Sequence, residues 1–401
     1  MNPNLSKLQA YPFERLAQLK AAVTPPKDRS TILLSIGEPK HPAPALINEA
    51  ITSHLQGLSI YPTTNGSSEL RTAIADWVTA RFKLKKGSID PDKNVLPVNG
   101  TREAIFAVAQ CLTDPRPDAL ILMPNPFYQI YEGAALLAGA NPYFINGTEL
   151  NDFIPDFEAV PEAIWRKCQL LYICSPGNPT GAVFSLDLMK KLVQLSQKYE
   201  FAIASDECYS EIYYDESQPP SGLLEACAAL GLNTYPRCLA FHSLSKRTSV
   251  PGMRSGFVAG DSELIDRFRL YRTYHGSAMS PVVQAASTEA WKDEQHVIEN
   301  RKLYREKFDR VCAILSQITP VVKPMGAFYL WLKTPIEDAQ FAKELFHQYN
   351  VTVLPGSYMS REVHGINPGA GYVRIALVDS VDVCVEAAER IVEFIRSIKA
   401  K

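Results

Sequence analysis

The sequence lacks three features that mark common classes of protein. No apolar run is long enough to span a bilayer, and the N-terminal stretch MNPNLSKLQAYPFERL has no apolar core of the kind found in signal peptides. The eight cysteines show no C-x-x-C spacing, and Cys174, Cys208 and Cys238 lie in apolar runs, which disfavours a disulfide frame or a metal site. The 41 basic and 43 acidic side chains nearly balance, so nothing global favours nucleic acid or an anionic membrane. We therefore expect a soluble, cytoplasmic protein with buried, reduced thiols.

Two patterns of hydrophobicity predict the fold class. Between residues 95 and 260, the apolar runs ALILM, LLYIC, FAIAS and CLAFH alternate with amphipathic stretches. Continuous apolar runs bounded by turn residues are typical of strands buried on both faces, which predicts an α/β region with a parallel sheet. After a long helical stretch near 299–315, the pattern changes to GAFYLWL, a helix near 341–349, VTVLP, YVRIAL and a final helix. This second pattern predicts a smaller α+β domain.

The sharpest local signal is SLSKRTSVPGMRSG, residues 243–256, which directly follows the predicted strand CLAFH. Most lysines are solvated surface charges, but Lys246 lies at the carboxyl end of a buried strand, where open α/β sheets place their ligands. Ser243, Ser245 and Arg254 supply donors for a phosphate beside it. This setting suits a lysine that forms a Schiff base with a cofactor aldehyde.

Other loops also place polar residues at the ends of strands. FAIASDECY puts Asp206 and Tyr209 just past a strand, although a helix-capping aspartate is the plainer interpretation. SPGNPTG follows LLYIC and consists of turn formers. NGTREA follows VLPV and opens a helix, whose free N–H groups make Gly100, Thr101 and Arg102 a plausible phosphate cradle.

Together these segments resemble the class I/II aminotransferases of the aspartate aminotransferase fold. S-L-S-K-x-x-S-V-x-G-x-R-x-G matches their lysine signature almost throughout, with Ser255 in place of the usual aliphatic residue. The resemblance implies pyridoxal-phosphate fold type I, with a mostly parallel seven-stranded sheet between helices in a large domain, plus a smaller α+β domain. It implies an N-terminal arm at 1–15, a large cofactor-binding domain at 45–290, and a small domain formed by 16–44 with 291–401. It also implies pyridoxal 5'-phosphate as cofactor and a homodimer with shared active sites.

The resemblance assigns roles to individual residues. Lys246 would hold the cofactor as a Schiff base and then move the proton at the substrate Cα. Asp206 would pair with the pyridinium nitrogen, and Tyr209 would hydrogen-bond the ring oxygen. The other implied cofactor contacts are Gly100, Thr101, Arg102, Tyr128 stacked on the ring, Asn178, Ser243, Ser245, Arg254 and, from the neighbouring subunit, Tyr61. The implied substrate contacts are Gly37, Asn178 and Arg374.

Arg374 lies in the apolar run YVRIAL, where an unpaired guanidinium is costly. Two interpretations follow. A fixed structural carboxylate pairs with it, or, as the resemblance implies, it clamps the α-carboxylate of the substrate in a bidentate manner.

The segments HSLSKRTSVPGMRSGFVAGD, TYHGSAMS and IGEPKHPAP look most like the N-succinyldiaminopimelate aminotransferases of bacterial lysine synthesis. The implied reaction moves an amino group from glutamate to N-succinyl-2-amino-6-oxopimelate in two ping-pong halves. Both substrates carry a remote carboxylate, so a second polar locus is needed, and Arg102, Arg247 and His275 are candidates.

Several alternatives stay open. Within the family, these are aspartate, alanine, aromatic or unsuccinylated diaminopimelate aminotransferases. On the same fold, a pyridoxal-phosphate-dependent C–S lyase or an aminocyclopropane-forming enzyme would share the cofactor residues. A transcriptional regulator carrying such a domain is disfavoured, because no basic helix pair precedes Gly37.

Overall fold

The computed structural model describes residues 1–400 of the chain. The helices are α1 Pro12–Ala21, α2 Ala45–Ser53, α3 Ser68–Arg81, α4 Thr101–Leu112, α5 Ile130–Leu137, α6 Glu162–Trp165, α7 Leu186–Tyr199, α8 Leu223–Ala229, α9 Leu244–Arg247, α10 Ser262–His275, α11 Pro281–Lys292, α12 Gln295–Leu315, α13 Asp338–Tyr349 and α14 Val381–Lys399. The strands are β1 Ile32–Leu33, β2 Val95–Val98, β3 Leu120–Asn125, β4 Asn141–Asn146, β5 Cys168–Cys174, β6 Ala202–Asp206, β7 Cys238–Ser243, β8 Gly256–Gly260, β9 Tyr329–Lys333, β10 Val351–Thr352, β11 Leu354–Pro355 and β12 Tyr372–Ala376.

The largest sheet has seven strands in the order β2-β8-β7-β6-β5-β3-β4. Strands β3 to β7 pair in parallel, whereas β8 is antiparallel to both β2 and β7. The four apolar runs noted in the sequence form β3, β5, β6 and β7. The prediction of a mostly parallel seven-stranded sheet is therefore confirmed.

Helices cover both faces of this sheet, which explains why its strands are continuously apolar. Successive residues of a strand point to opposite faces, so Leu171 and Ile173 join one core while Tyr172 joins the other. The first core includes residues of α3, α7, α8 and α11, and the second includes residues of α4, α5 and α10. The sheet is thus fixed from both sides, and its strand ends provide rigid positions for a site.

A separate group of elements forms a second core. Strands β11, β12 and β9 make an antiparallel sheet, and β1 pairs in parallel with β10. Their apolar side chains pack with helices α12, α13 and α14. Because β1 joins strands from the last third of the chain, the segment that follows it is brought close to β9 and β12.

The structure contains no disulfide, since all eight cysteines are free thiols. Within residues 1–400 there is no group of three His, Cys, Asp or Glu side chains that could hold a metal ion. No helix in the same range has the length and apolar character needed to cross a membrane.

Candidate active site

A cleft of about 370 Å³ lies where the carboxyl ends of β3, β5, β6 and β7 approach β9 and β12. Most of the residues predicted to be functional line this central cleft: Gly37, Thr101, Arg102, Tyr128, Asn178, Asp206, Tyr209, Ser243, Ser245, Lys246, Arg254 and Arg374. Parallel strands end at the same edge of a sheet, so loops far apart in sequence meet there. A larger groove of about 850 Å³ beside α3 and α11 contains none of the predicted residues.

Lys246 lies on α9, and its Nζ donates a hydrogen bond to the Gly37 carbonyl oxygen at 2.7 Å. Burial lowers the pKa of Lys246 to about 8; the nearby Arg374 and Arg254 act in the same direction, whereas Cys208 opposes them. A neutral amine is the nucleophilic form, so this environment makes Lys246 more reactive than an exposed lysine at neutral pH.

Asp206 ends β6 and is buried. Its carboxylate accepts hydrogen bonds from Tyr131 Oη at 2.7 Å and from the Cys208 N–H at 3.3 Å. Burial raises the pKa of Asp206, while the hydrogen bonds from Cys208 and Tyr131 oppose that shift. Sequence reasoning missed Tyr131, because a buried aromatic residue near the start of a helix gives no sign of its polar partner. Its ring stacks on Tyr172 with centroids 4.8 Å apart, which fixes the hydroxyl.

Tyr329 on β9 is a second residue that the sequence did not reveal. Its Oη lies 2.9 Å from Tyr209 Oη. A Cβ added to Gly37 would lie 2.1 Å from that same Tyr329 Oη, so glycine allows this close approach. The Arg374 guanidinium lies 4.4 Å from the centre of the Tyr329 ring. Tyr329 therefore contacts the Gly37 backbone, Tyr209 and Arg374 together.

One end of the cleft is suited to an anion. Helix α4 begins at Thr101 without a side-chain cap, so its first N–H groups are free of such a partner. Gly100 precedes it with φ 81°, and a Cβ there would lie 2.1 Å from Arg254 Nη2. Arg254 Nη1 donates to the Pro251 carbonyl oxygen at 2.9 Å and to Ser245 Oγ at 3.4 Å. The free N–H groups at the start of α4 and the exposed Arg254 guanidinium therefore lie close together at this end of the cleft.

At another wall of the cleft, Arg374 is buried, with 3% of its surface exposed. It donates to Asn178 Oδ1 at 2.8 Å and to the Ser35 carbonyl oxygen at 2.6 Å. Its Nε has no hydrogen-bond partner, and no carboxylate within residues 1–400 forms an ion pair with it. The interpretation that a structural carboxylate fixes Arg374 is therefore wrong. An uncompensated buried guanidinium is costly, which favours an anionic ligand at this position.

The outer part of the cleft is lined by Tyr11, Phe13 and Ile36, and by Arg102, whose guanidinium lies 5.6 Å from the Tyr11 ring centre. None of the three apolar residues was predicted, because the stretch before Gly37 carries no motif.

Of the three candidates for a distal cationic locus, two lie outside the cleft. Arg247 is buried between Trp77 and Trp291, where it pairs with Glu294 and donates to the Ala290 carbonyl oxygen at 2.6 Å. His275 is exposed in the last turn of α10. Arg247 and His275 are therefore wrong as candidates for binding a distal carboxylate within this chain.

Two predicted cofactor residues do not line the cleft. Gly100 contacts Arg254 as described, whereas Tyr61 lies on the outer surface with its side chain fully exposed. Leu58 and Ile60 are exposed beside it, 72% and 61%.

The chemistry of the cleft fits pyridoxal phosphate. The anion-binding end suits the phosphate, the buried Asp206 suits a cationic ring nitrogen, and Lys246 has an amine of lowered pKa that suits an aldehyde.

Comparisons with known proteins agree with this chemistry. The family model described as "Aminotransferase class I and II" matches residues 29–391. An LL-diaminopimelate aminotransferase of Dehalococcoides mccartyi is 33% identical over 383 residues, 94% of each chain. The crystal structure of an aminotransferase from Neisseria meningitidis is 49% identical, covers 98% of this chain and 100% of its own, and superposes with a TM-score of 0.94.

A structure from Thermus thermophilus, described as a probable N-succinyldiaminopimelate aminotransferase, is 27% identical, covers 95% of this chain and 99% of its own, and has a TM-score of 0.85. The family match covers far more than half of the chain, and the residues expected of such an enzyme meet in one cleft. The chain belongs to the class I and II aminotransferase family, and is a pyridoxal-phosphate-dependent aminotransferase that acts on small molecules.

Proposed function

We propose that this aminotransferase acts on a diaminopimelate-type amino acid in lysine synthesis, with glutamate and 2-oxoglutarate as the other substrate pair. The observation that carries the proposal is the presence of two separate cationic groups in one cleft. Arg374 is buried without a carboxylate partner, and Arg102 is exposed at the outer wall. Such a pair suits an amino acid that carries a carboxylate at each end.

Individual residues then have the following roles. Pyridoxal phosphate, when bound, supplies an electron sink for the carbanion that forms at the substrate Cα. Lys246 would hold it through its Nζ and would move the proton at that carbon. Asp206, held by Tyr131, would pair with the ring nitrogen, while Tyr209 and Asn178 would donate to the ring oxygen. Arg374 and the Gly37 backbone would bind the α-carboxylate.

The remaining cofactor contacts lie around the ring and the phosphate. Tyr128 would cover the ring, and the phosphate would be held by Gly100, Thr101, Arg102, Ser243, Ser245 and Arg254. Arg102 is both a phosphate candidate and the outer cation, and its exposed side chain can serve only one of these roles at a time.

Two forms of the substrate are candidates. The aromatic and aliphatic outer wall, with Tyr11, Phe13 and Ile36, suits the neutral amide of an N-succinyl group better than a free ammonium, and the Thermus relative is described as a probable N-succinyldiaminopimelate aminotransferase. The curated relatives near 33% identity instead act, by their names, on unsuccinylated LL-diaminopimelate. The higher identity of these relatives favours the unsuccinylated form over the succinylated one that the sequence motifs suggest.

A single-turnover screen separates these candidates. The holoenzyme is mixed with glutamate, N-succinyl-LL-diaminopimelate, LL-diaminopimelate, aspartate, alanine or phenylalanine, and conversion of the cofactor to its amine form is followed by absorbance. We expect glutamate and one diaminopimelate form to give the highest ratio of rate constant to dissociation constant. A clear preference for aspartate or phenylalanine rejects the proposal, and failure of every donor to give a stable amine form of the cofactor indicates a lyase instead.

We further propose a homodimer in which Tyr61 of each subunit reaches the phosphate of the other. Tyr61 is fully exposed on the isolated chain, and its sequence neighbours Leu58 and Ile60 are exposed large apolar side chains as well. Apolar side chains exposed together are typical of a protein–protein interface.

A further inference from the structure

A buried lysine outside the cofactor residues has an unusual environment. Lys307 lies on α12 with 1% of its surface exposed, and within residues 1–400 no carboxylate forms an ion pair with it. Its Nζ lies 2.6 Å from His41 Nε2, and 4.8 Å from the centre of the Tyr304 ring. Burial lowers the pKa of Lys307, and Asp379 is near enough to oppose that shift but forms no ion pair with it, so this ammonium is buried without a directly paired carboxylate, which is costly.

From His41 a chain of hydrogen bonds continues to residues 246–249, the end of α9 and the residues after it, which we call the Lys246 loop. His41 Nδ1 lies 2.6 Å from Asn300 Oδ1, and Asn300 Nδ2 donates to the carbonyl oxygens of Lys246 and Arg247 at 3.3 and 3.2 Å. Ser249 Oγ also donates to Asn300 Oδ1 at 3.2 Å. This chain of hydrogen bonds therefore joins α12 to the Lys246 loop, whose first residue is the catalytic lysine.

The direction of each hydrogen bond in this chain is determined. Backbone carbonyl oxygens only accept, so the Asn300 atom facing them is the amide nitrogen, and the Asn300 oxygen faces His41. His41 Nδ1 must then carry the proton and donate. The unprotonated Nε2 accepts from the Lys307 ammonium. Burial lowers the pKa of His41 to about 4, and burial lowers the pKa of Lys307 to about 8, which agrees with a neutral imidazole and a charged lysine at neutral pH.

His41 ends the segment of residues 35–41, SIGEPKH, which borders the cleft. At the start of this 35–41 segment, the Ser35 carbonyl oxygen accepts from Arg374 at 2.6 Å. At its middle, the Gly37 carbonyl oxygen accepts from Lys246 Nζ at 2.7 Å. Those two contacts involve Lys246 and Arg374, which must exchange partners when substrate binds. The contact through His41 involves neither side chain, so it can hold the 35–41 segment in place during that exchange.

We propose that Lys307, His41 and Asn300 form a positioning unit that fixes the 35–41 segment against the Lys246 loop, so that the Gly37 backbone is held ready for the α-carboxylate of the amino acid. These three are positioning residues, because none of them lines the cleft. The inference rests on the proposed role of Gly37 and Arg374 in binding that carboxylate. It predicts weaker amino acid binding, with little change in the chemical step, when the unit is broken.

The test uses holoenzyme variants and the single-turnover assay with the amino donor selected above, expected to be glutamate. Lys307→Met removes the ammonium and keeps most of the stem, and His41→Phe keeps a ring against Tyr304. Lys302→Met is the matched control, since Lys302 is exposed on the same helix. We expect Lys307→Met and His41→Phe each to raise the dissociation constant about tenfold while the limiting rate changes less than about threefold.

Two further measurements separate positioning from general damage. The dissociation constant of the double variant Lys307→Met with His41→Phe should lie within about twofold of that of either single variant, because both substitutions break the same unit. His41→Gln keeps one donor and one acceptor, and should recover part of the affinity. If Lys307→Met does not fold, His41→Phe and His41→Gln decide the matter by the same criterion.

Each result has a defined meaning. Unchanged dissociation constants in the folded His41 variants, or an equal loss in Lys302→Met, overturn the inference. Arg374→Lys tests the proposed function separately. If that variant binds the donor normally, the proposal that Arg374 binds the α-carboxylate is rejected. If it binds the donor weakly while the His41 and Lys307 variants bind it normally, only the proposal of a positioning unit is rejected.

Discussion

At the level of single residues, the cleft contains buried polar groups of two kinds. The Asp206 carboxylate accepts hydrogen bonds from two groups of its own chain, Tyr131 Oη and the Cys208 N–H. Arg374 has an Nε without any partner. Arg374 also lines the cleft and pairs with no carboxylate of residues 1–400, so an anionic ligand entering the cleft would compensate its charge. This difference explains why Asp206 is expected to orient a cofactor and Arg374 to bind a substrate that comes and goes.

The first prediction at this scale concerns Lys246. Borohydride reduction of the holoenzyme, followed by peptide mapping, should find the cofactor attached to Lys246. Lys246→Ala should lose the absorbance of the covalently held cofactor and lower turnover by roughly 10³-fold or more, because both the attachment and the proton transfer are removed. Lys302→Ala, at an exposed site, is the control. A retained absorbance band in folded Lys246→Ala would place the attachment elsewhere.

The second prediction concerns pH. The neutral form of Lys246 attacks an aldehyde, and the pKa of Lys246 is lowered to about 8 by burial and by the nearby arginines. The rate at which the apoprotein forms a borohydride-reducible adduct with pyridoxal should therefore rise with pH and level off above about pH 8. An exposed lysine would level off only above about pH 10. A rate that still climbs steeply between about pH 9 and pH 10 contradicts the lowered pKa.

At the level of elements, serine caps set where several helices begin. Ser67 Oγ accepts from the Leu70 N–H, and Ser185 Oγ accepts from the Leu188 N–H, each at 3.2 Å. These contacts satisfy N–H groups that the first turn of a helix leaves free. Helices α3 and α7 therefore start at the residues after the serines, and both pack on the same face of the main sheet.

We predict that Ser185→Ala loosens the first turn of α7. Loss of an N-cap costs about 1 kcal/mol, which corresponds to about fivefold faster amide hydrogen exchange at Leu188. Ser316→Ala is the control, since Ser316 is an exposed residue at the end of α12. Turnover should not change, because α7 contributes no residue to the cleft. Equal exchange rates in Ser185→Ala and the parent protein would show that the cap does not limit opening.

At the level of the whole molecule, the cleft is formed jointly by the main sheet and by the elements of the second core. Asp206 ends strand β6 of the main sheet and Lys246 lies on α9 directly after β7, whereas Gly37, Tyr329 and Arg374 lie on or next to strands of the second core. We propose that the division into a large domain at 45–290 and a small domain at 16–44 with 291–401 lets the two parts close on the substrate and exclude water.

The proposed homodimer with shared active sites gives a whole-molecule prediction. Tyr61→Phe should weaken cofactor binding, because a hydrogen bond to the phosphate is lost, whereas Lys246→Ala should abolish turnover. Mixed dimers of the two variants should contain one site with both residues intact and one site with neither. We expect such dimers, isolated with two different affinity tags, to bind one cofactor per dimer with parental affinity and to show about half of the parental turnover. If every site of the mixed dimer is impaired, Tyr61 acts within its own chain.

The sequence by itself determined the elements and much of the residue chemistry. Apolar runs such as LLYIC predict strands buried on both faces, because apolar side chains that point alternately up and down are stable only where both faces are covered. The lysine segment and the glycine before α4 could be selected because their chemistry depends on neighbours close in sequence, whereas the role of Asp206, at the end of β6, came from the family resemblance.

Only the tertiary structure decided which distant groups touch. Tyr131 and Tyr329 carry no signal in the sequence, and only packing brings them to Asp206 and Gly37. Arg247 was a candidate ligand residue, but Glu294 and two tryptophans enclose it. His41, Asn300 and Lys307 carry no motif, yet they form one directed chain of hydrogen bonds. Such contacts join residues far apart in the chain, and hydrogen bonds depend on distances and angles that no local pattern encodes.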